Sequence, residues 1–226
     1  MRKKIKVLFL AADPFRENAW RELGEEMRAL RSAVQQGPAR DRVELVAHFA
    51  IHARDAQDAL LRHQPQIVHF AGPGDAPAAL YLGDDQGRRR PVDREALRGL
   101  LGVVRDTVRI VVLDGPDSLP AVEALSEVAD YTVGTDRRPG DGPAVVFAEA
   151  FYSGLAMGRT VLTAFELGVS QLEMEGNPDA GTPVRRIRPG VNLDATLLHP
   201  PDAGEEREGR SRWARPRTRA PARRIG

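Results

Sequence analysis

The segment Ile5-Lys6-Val7-Leu8-Phe9-Leu10-Ala11-Ala12-Asp13-Pro14 decides the fold. From Val7 to Ala12 every residue is apolar, so a strand here carries apolar side chains on both of its faces, because successive side chains of a strand point in opposite directions. A strand of that kind belongs to a parallel sheet covered by helices on both sides. Asp13-Pro14 ends it, since proline fixes φ and has no amide hydrogen to give to a ladder. The apolar run is also far shorter than the roughly 20 residues that cross a bilayer.

Working outward, Trp20, Leu23, Met27, Leu30 and Val34 recur at three- and four-residue spacing, with Glu25, Glu26, Arg28 and Arg31 between them. This predicts an amphipathic helix that Gly37-Pro38 ends. Strands are expected at Val43 to Ala50, Ile67 to Phe70, Val108 to Leu113 and Tyr131 to Gly134, with a short hairpin between Leu80 and Val92. Helices are expected at Ala56 to His63, Asp93 to Val104 and Leu119 to Val128, with Asp93 as an N-cap. Two more helices fill Gly142 to Leu172 with a break near Gly158, and Pro183 to Ile187 reads as an edge strand. Strands alternating with helices imply right-handed crossovers and a mainly parallel central sheet with helices on both faces. Ligand sites in such sheets lie beyond the carboxyl ends of the strands. The turns Ala71-Gly72-Pro73-Gly74-Asp75 and Asp114-Gly115-Pro116-Asp117-Ser118 are therefore expected to meet at one edge.

Hydrophobic residues at 42% and charged residues at 29% are ordinary for a globular domain, so the bulk of the chain is expected to fold. The 226 residues suit one α/β domain over residues 1–200. In residues 202–226, eight arginines against four acidic residues give +4, which leaves −3 of the overall +1 on the rest of the chain. A disordered Arg-rich tail over 201–226 is the expectation, because Trp213 and Ile225 are its only sizeable apolar residues. The tail is the one feature that suits nucleic acid, and a solvated tail is the commoner case. With no membrane span and no signal-peptide cleavage site after the basic start, a cytoplasmic location is expected. The chain contains no cysteine, which excludes disulfides, thiolate-bound zinc and a thiol nucleophile.

From Lys4 to Ile187 the sequence resembles the CHAT family, bacterial caspase-like domains often found beside TPR repeats. The likeness rests on Val7 to Pro14, on Ile67-Val68-His69-Phe70 before a glycine turn, on Val111-Val112-Leu113, and on a downstream block. That block includes Gly134, Gly140-Asp141, Ala144, Phe147-Ala148, Phe151-Tyr152, Leu155, Gly158 and Ala164-Phe165. The resemblance implies a three-layer caspase-like fold. It also implies a histidine in the first turn and a cysteine in the second, positions that Pro73 and Pro116 occupy here. Proline is neither base nor nucleophile, so the expectation is a chain that is not an enzyme. It would be a pseudoprotease that binds or scaffolds a protein or peptide, with an active protease or effector encoded nearby as partner, in bacterial defence or signalling.

The candidate cleft comprises His69, Gly72, Gly74, Asp75, Asp114, Gly115, Ser118 and Asp141, with no cofactor and no metal. The alternative is a hydrolase with non-standard residues, Ser118 as nucleophile with His69 as base, or Asp114 and Asp75 as acid and base. Against it, His69 reads as a strand histidine bonded to backbone, and Ser118 as the N-cap of the next helix. His48 and His52 share a helical metal-ligand spacing but lie in an expected strand. Asp75, Asp84, Asp85, Asp114 and Asp117 could gather around a cation, although turns favour aspartate in any case.

Overall fold

The computed structural model describes residues 4–12, 19–72, 80–84, 86, 88–115, 118–136 and 142–191. The first strand, β1 (Ile5–Ala11), is followed by α1 (Ala19–Gln36), a 3-10 turn at Arg40–Arg42, β2 (Val43–Phe49), α2 (Ala53–His63) and β3 (Ile67–Ala71). Next come the hairpin strands β4 (Leu80–Gly83) and β5 (Arg89–Val92), then α3 (Arg94–Val103), β6 (Ile110–Asp114), α4 (Leu119–Leu125) and β7 (Tyr131–Thr135). Helices α5 (Pro143–Ala156) and α6 (Val161–Met174) lead to β8 (Pro183–Ile187).

The central sheet has six strands in the order β2-β1-β3-β6-β7-β8. All neighbours pair in parallel except β7 and β8, which are antiparallel. The chain steps from β1 outward to β2 and then back past β1 to β3, so the strand order reverses between β1 and β3. Right-handed crossovers in opposite directions must pass on opposite faces. Accordingly α1, α5 and α6 cover one face, packing on Val7, Phe9 and Ala11. Helices α2, α3 and α4 and the hairpin residues Leu80 and Leu82 cover the other, packing on Leu8, Leu10 and Ala12. The continuous apolar run of β1 is thus divided residue by residue between two cores, as its composition requires.

Local chemistry places the element ends. Asp93 caps α3 by accepting from the Ala96 amide at 2.7 Å, as expected. Helix α2 ends at Gln64, which takes the left-handed conformation at φ 46° immediately before Pro65. Strand β6 starts at Ile110 and α4 stops at Leu125, both shorter than their sequence patterns. Asp84 accepts from the backbone amides of Arg88 and Gln86 and from the Arg88 and Arg90 side chains, which holds its carboxyl well below the usual carboxylate range. It therefore pins the β4–β5 turn. At the amino edge of the sheet, buried Asp130 is clamped by Arg109, which precedes β6, and by Arg188, which follows β8. Among the described residues no helix is long and apolar enough to cross a membrane. The Arg-rich tail lies outside the described residues.

Because both faces of β1 are buried, Phe9→Ala and Leu10→Ala should both be costly: about 3–5 and 2–5 kcal/mol in urea unfolding. A loss below about 1 kcal/mol at either position would show that one face is open to solvent.

Candidate functional site

His69 is the third residue of β3, in register with Phe9 on β1 and Val112 on β6. Asp114 ends β6 two residues beyond Val112, so its side chain leaves the sheet on the same face. That face is roofed by α1 and α5. From α1, Glu26 comes down between Leu23 and Leu30, at the i+3 and i+7 spacing of one stripe, and is 3% exposed. From α5, Tyr152 reaches His69, its hydroxyl 3.1 Å from Nδ1, with the two rings stacked at 5.8 Å.

On the other side of the imidazole, Glu26 Oε1 lies 2.9 Å from Nε2. An Nε2–H would not be aligned on that oxygen, and neither atom has a hydrogen-bond partner among the described residues. One ligand-type atom from each of Glu26, His69 and Asp114 lies within 4.8 Å of the others. Burial pushes the Glu26 carboxyl up to about 8, opposed by its hydrogen bond with Asp114. Burial, and then the Glu26 charge, push Asp114 up to about 8. Burial pulls His69 down to about 4, against the attraction of Asp114. At neutral pH the histidine is therefore uncharged and the carboxyl pair retains protons, so the 2.9 Å contact is not an ion pair. Asp114 and His69 also line a cavity of about 30 Å³, walled by Val133, Gly134 and Thr135 of β7, Pro143, Ala144 and Phe147 of α5, and Thr182 and Pro183 at the start of β8. It is large enough for a water molecule or a small ion, and it sits at the carboxyl edge.

The structure revises several sequence expectations. Glu26, read as a solvent-side residue of α1, is in the core; the Leu23–Glu26–Leu30 spacing was the signal that places it there. His69 does not bond backbone but meets Tyr152 and Glu26. Ser118 stands at the N-cap position of α4 as expected, but its side chain does not cap the helix, and its hydroxyl bonds Thr135 and not His69. It is 1% exposed and makes no capping bond. Its hydroxyl accepts from the Thr135 amide at 2.8 Å and lies 3.3 Å from the Thr135 carbonyl. A Cβ on Gly134 would come within 2.4 Å of that oxygen, so glycine is needed where β7 passes over it. Gly115 lies beside it, its carbonyl accepting from the Thr135 hydroxyl at 2.7 Å. Gly72 follows β3 and packs on Ala12. His48 faces His63 at 3.1 Å, whereas His52 starts α2, so the two do not converge. Asp84 is committed to its turn. Pro73, Gly74, Asp75, Asp85, Pro116, Asp117 and Asp141 lie outside the described residues, and with them the two positions the resemblance assigns to catalysis.

No family model matches the chain. By sequence it is similar to a Roc-COR-CHAT protease from an unknown prokaryotic organism, 24% identical over 183 residues, which is 78% of this chain and 17% of that protein. It is also similar to a probable protease of Gillisia limnaea, 20% identical over 154 residues, 67% of this chain and 27% of that one. The chain thus spans about a quarter or less of the curated relatives it matches. By structure it is similar to the Arg-specific cysteine proteinase gingipain R, with a TM-score of 0.55 at 11% identity, over 86% of this chain and 48% of that one. The chain has a three-layer, caspase-like α/β fold, and its likeness to the CHAT protease agrees with the resemblance read from the sequence. The expectation that it is not an enzyme is overturned here: both sequence relatives are named proteases. What the missing cysteine does settle is chemical. Any bond cleavage by these 226 residues proceeds without a thiolate.

Two expected outcomes follow from the geometry. A folded-state pKa raised to about 8 means that the carboxyl pair holds protons which the unfolded chain, with carboxyls near 4, has already released. Stability is then lost as pH rises toward 8. His69, lowered to about 4, acts in the opposite sense only between about 4 and 6.5. Between pH 6.5 and 8, in buffer with a chelator, the unfolding free energy should fall by about 2 kcal/mol per pH unit, and Asp114→Asn should flatten the slope. A level profile in the wild type would contradict the buried pair. Separately, Ser118→Ala should cost about 1–3 kcal/mol in denaturant unfolding by stranding the Thr135 amide; an unchanged midpoint would show that the hydroxyl holds nothing.

Proposed function

We propose that this domain recognises polypeptide, holding a segment of a partner protein at the carboxyl edge of its sheet with one small apolar side chain seated in the cavity beside Asp114. The cavity carries this reading. It is lined chiefly by Val133, Ala144, Phe147 and Pro183, and a few polar groups at the end of an apolar pocket are what orient a bound chain. Its position, outside the strands β6 and β7, is where open α/β sheets place their ligands. Support also comes from the relatives, which are named for work on polypeptides. In this reading the partner is an active protease or an effector, and the setting is a bacterial defence or signalling system, in keeping with a prokaryotic relative in which the CHAT unit is joined to Roc and COR units.

A peptide library displayed on phage and selected against the purified chain should converge on sequences with a common small apolar residue. Ala144 is half-buried at the mouth of the cavity, so Ala144→Trp should fill it and weaken the selected peptides by at least about tenfold, 1.4 kcal/mol, with the circular dichroism unchanged. Failure of the selection to converge, or equal binding by the tryptophan variant, would refute the reading.

A further inference from the structure

We infer that Glu26, His69 and Asp114 form a binding site for one divalent transition-metal ion, with Zn²⁺ the best match to one imidazole and two carboxylates. The donor set comes from three separate elements, α1, β3 and β6, and its ligand-type atoms lie within 4.8 Å of one another. Donors that share an ion through bonds of about 2.1 Å lie roughly 3–4 Å apart, so small side-chain rotations close the shell.

The second observation concerns His69 Nε2, in a side chain that is fully buried. It points at Glu26 Oε1 across 2.9 Å, yet both atoms are without a hydrogen-bond partner. A hydrogen bond donated by His69 does not account for this arrangement. If the Tyr152 hydroxyl donates to Nδ1, the Nε2 hydrogen passes beside the carboxylate oxygen. If Nδ1 donates to Tyr152, Nε2 turns a lone pair to Glu26 Oε1, and only a proton on that carboxyl or a cation can lie between them. Without either, buried polar atoms go unsatisfied, at about 1–3 kcal/mol each. A cation between them takes both lone pairs, and two carboxylates with one dication balance to neutrality where an unpaired charge would be costly.

Tyr152 completes the pattern. A ligating histidine commonly has its other ring nitrogen engaged, which fixes its tautomer and aim, and the tyrosine hydroxyl at 3.1 Å from Nδ1 does this here. Tyr152 is a positioning residue and not a ligand. The cavity that Asp114 and His69 line gives the ion an entry path and a water its fourth position. This departs from the sequence expectation of no metal, which weighed His48 with His52 and a gathering of aspartates that included Asp114, but not Glu26 or His69 as its partners. The inference does not depend on peptide recognition, and its test contains no peptide.

The full chain, without an affinity tag, is stripped with EDTA and dialysed to equilibrium against Zn²⁺ and, in parallel, Mn²⁺, with bound metal measured by mass spectrometry. Wild type should take up one saturable equivalent, Zn²⁺ more tightly than Mn²⁺. Glu26→Gln and Asp114→Asn keep the shape of the side chain and should each lower affinity by more than about 100-fold, and Tyr152→Phe by about 10-fold. The double variant His48→Gln, His63→Gln removes the other close histidine pair and should bind as wild type does. Should a carboxamide variant fail to fold by circular dichroism, Tyr152→Phe alone decides the matter. Absence of saturable uptake of either ion by wild type, uptake unchanged in the Tyr152 variant, or loss in the histidine double variant overturns the inference.

Discussion

A parallel sheet buried on both faces leaves its central strands no solvent side, and the whole domain is arranged around that constraint. Phe9 and Leu10 are neighbours in sequence and both are fully buried, one under α1 and α5, the other against α2, α3 and the hairpin. Each face buries apolar area worth about 25 cal/mol per Å², so β1 and β3 are held from two sides. A polar side chain on such a strand is expensive unless other groups meet it. His69 and Asp114 are the polar residues that β3 and β6 place on the face beneath α1, and Glu26 and Tyr152 are the groups that meet them. The cluster is therefore as rigid as the core around it. Only its Asp114 and His69 corner opens, into the cavity at the carboxyl edge.

Much of the architecture was legible because it rests on local pattern. The apolar run from Val7 to Ala12 requires two covering layers, and the Asp93 cap and the Gln64-Pro65 stop mark helix ends through backbone chemistry that depends on adjacent residues only. The candidate site was less legible because its contacts are long-range. His69 meets Tyr152 across 83 positions, and Ser118 bonds Thr135 across 17, distances at which periodicity says which way a side chain faces but not what it finds there. Glu26 shows the difference. Its spacing from Leu23 and Leu30 places it on the buried stripe of α1, whereas its charge argues for the surface, and only the packing of α1 on β3 decides between them.

The functional picture changes with the same geometry. Reading two prolines into the catalytic turns led to an inert domain, whereas the relatives are proteases and the carboxyl edge holds a buried His–Glu–Asp cluster beside an apolar pocket. Without cysteine, the chemistry available at that edge belongs to carboxyls, an imidazole and whatever ion or water they hold. A pocket for a side chain and a site for a cation lie against one another there, on strands fixed by two cores, which is the preorganisation that binding and chemistry both need.

The most direct measurement is an anomalous difference map at the zinc edge from crystals of the chain grown with Zn²⁺. A single strong peak bonded to Glu26, His69 Nε2 and Asp114, with Tyr152 on Nδ1, is the result expected. A featureless map at this position, with the two carboxyls hydrogen-bonded to each other and the imidazole bound to protein atoms alone, would contradict it.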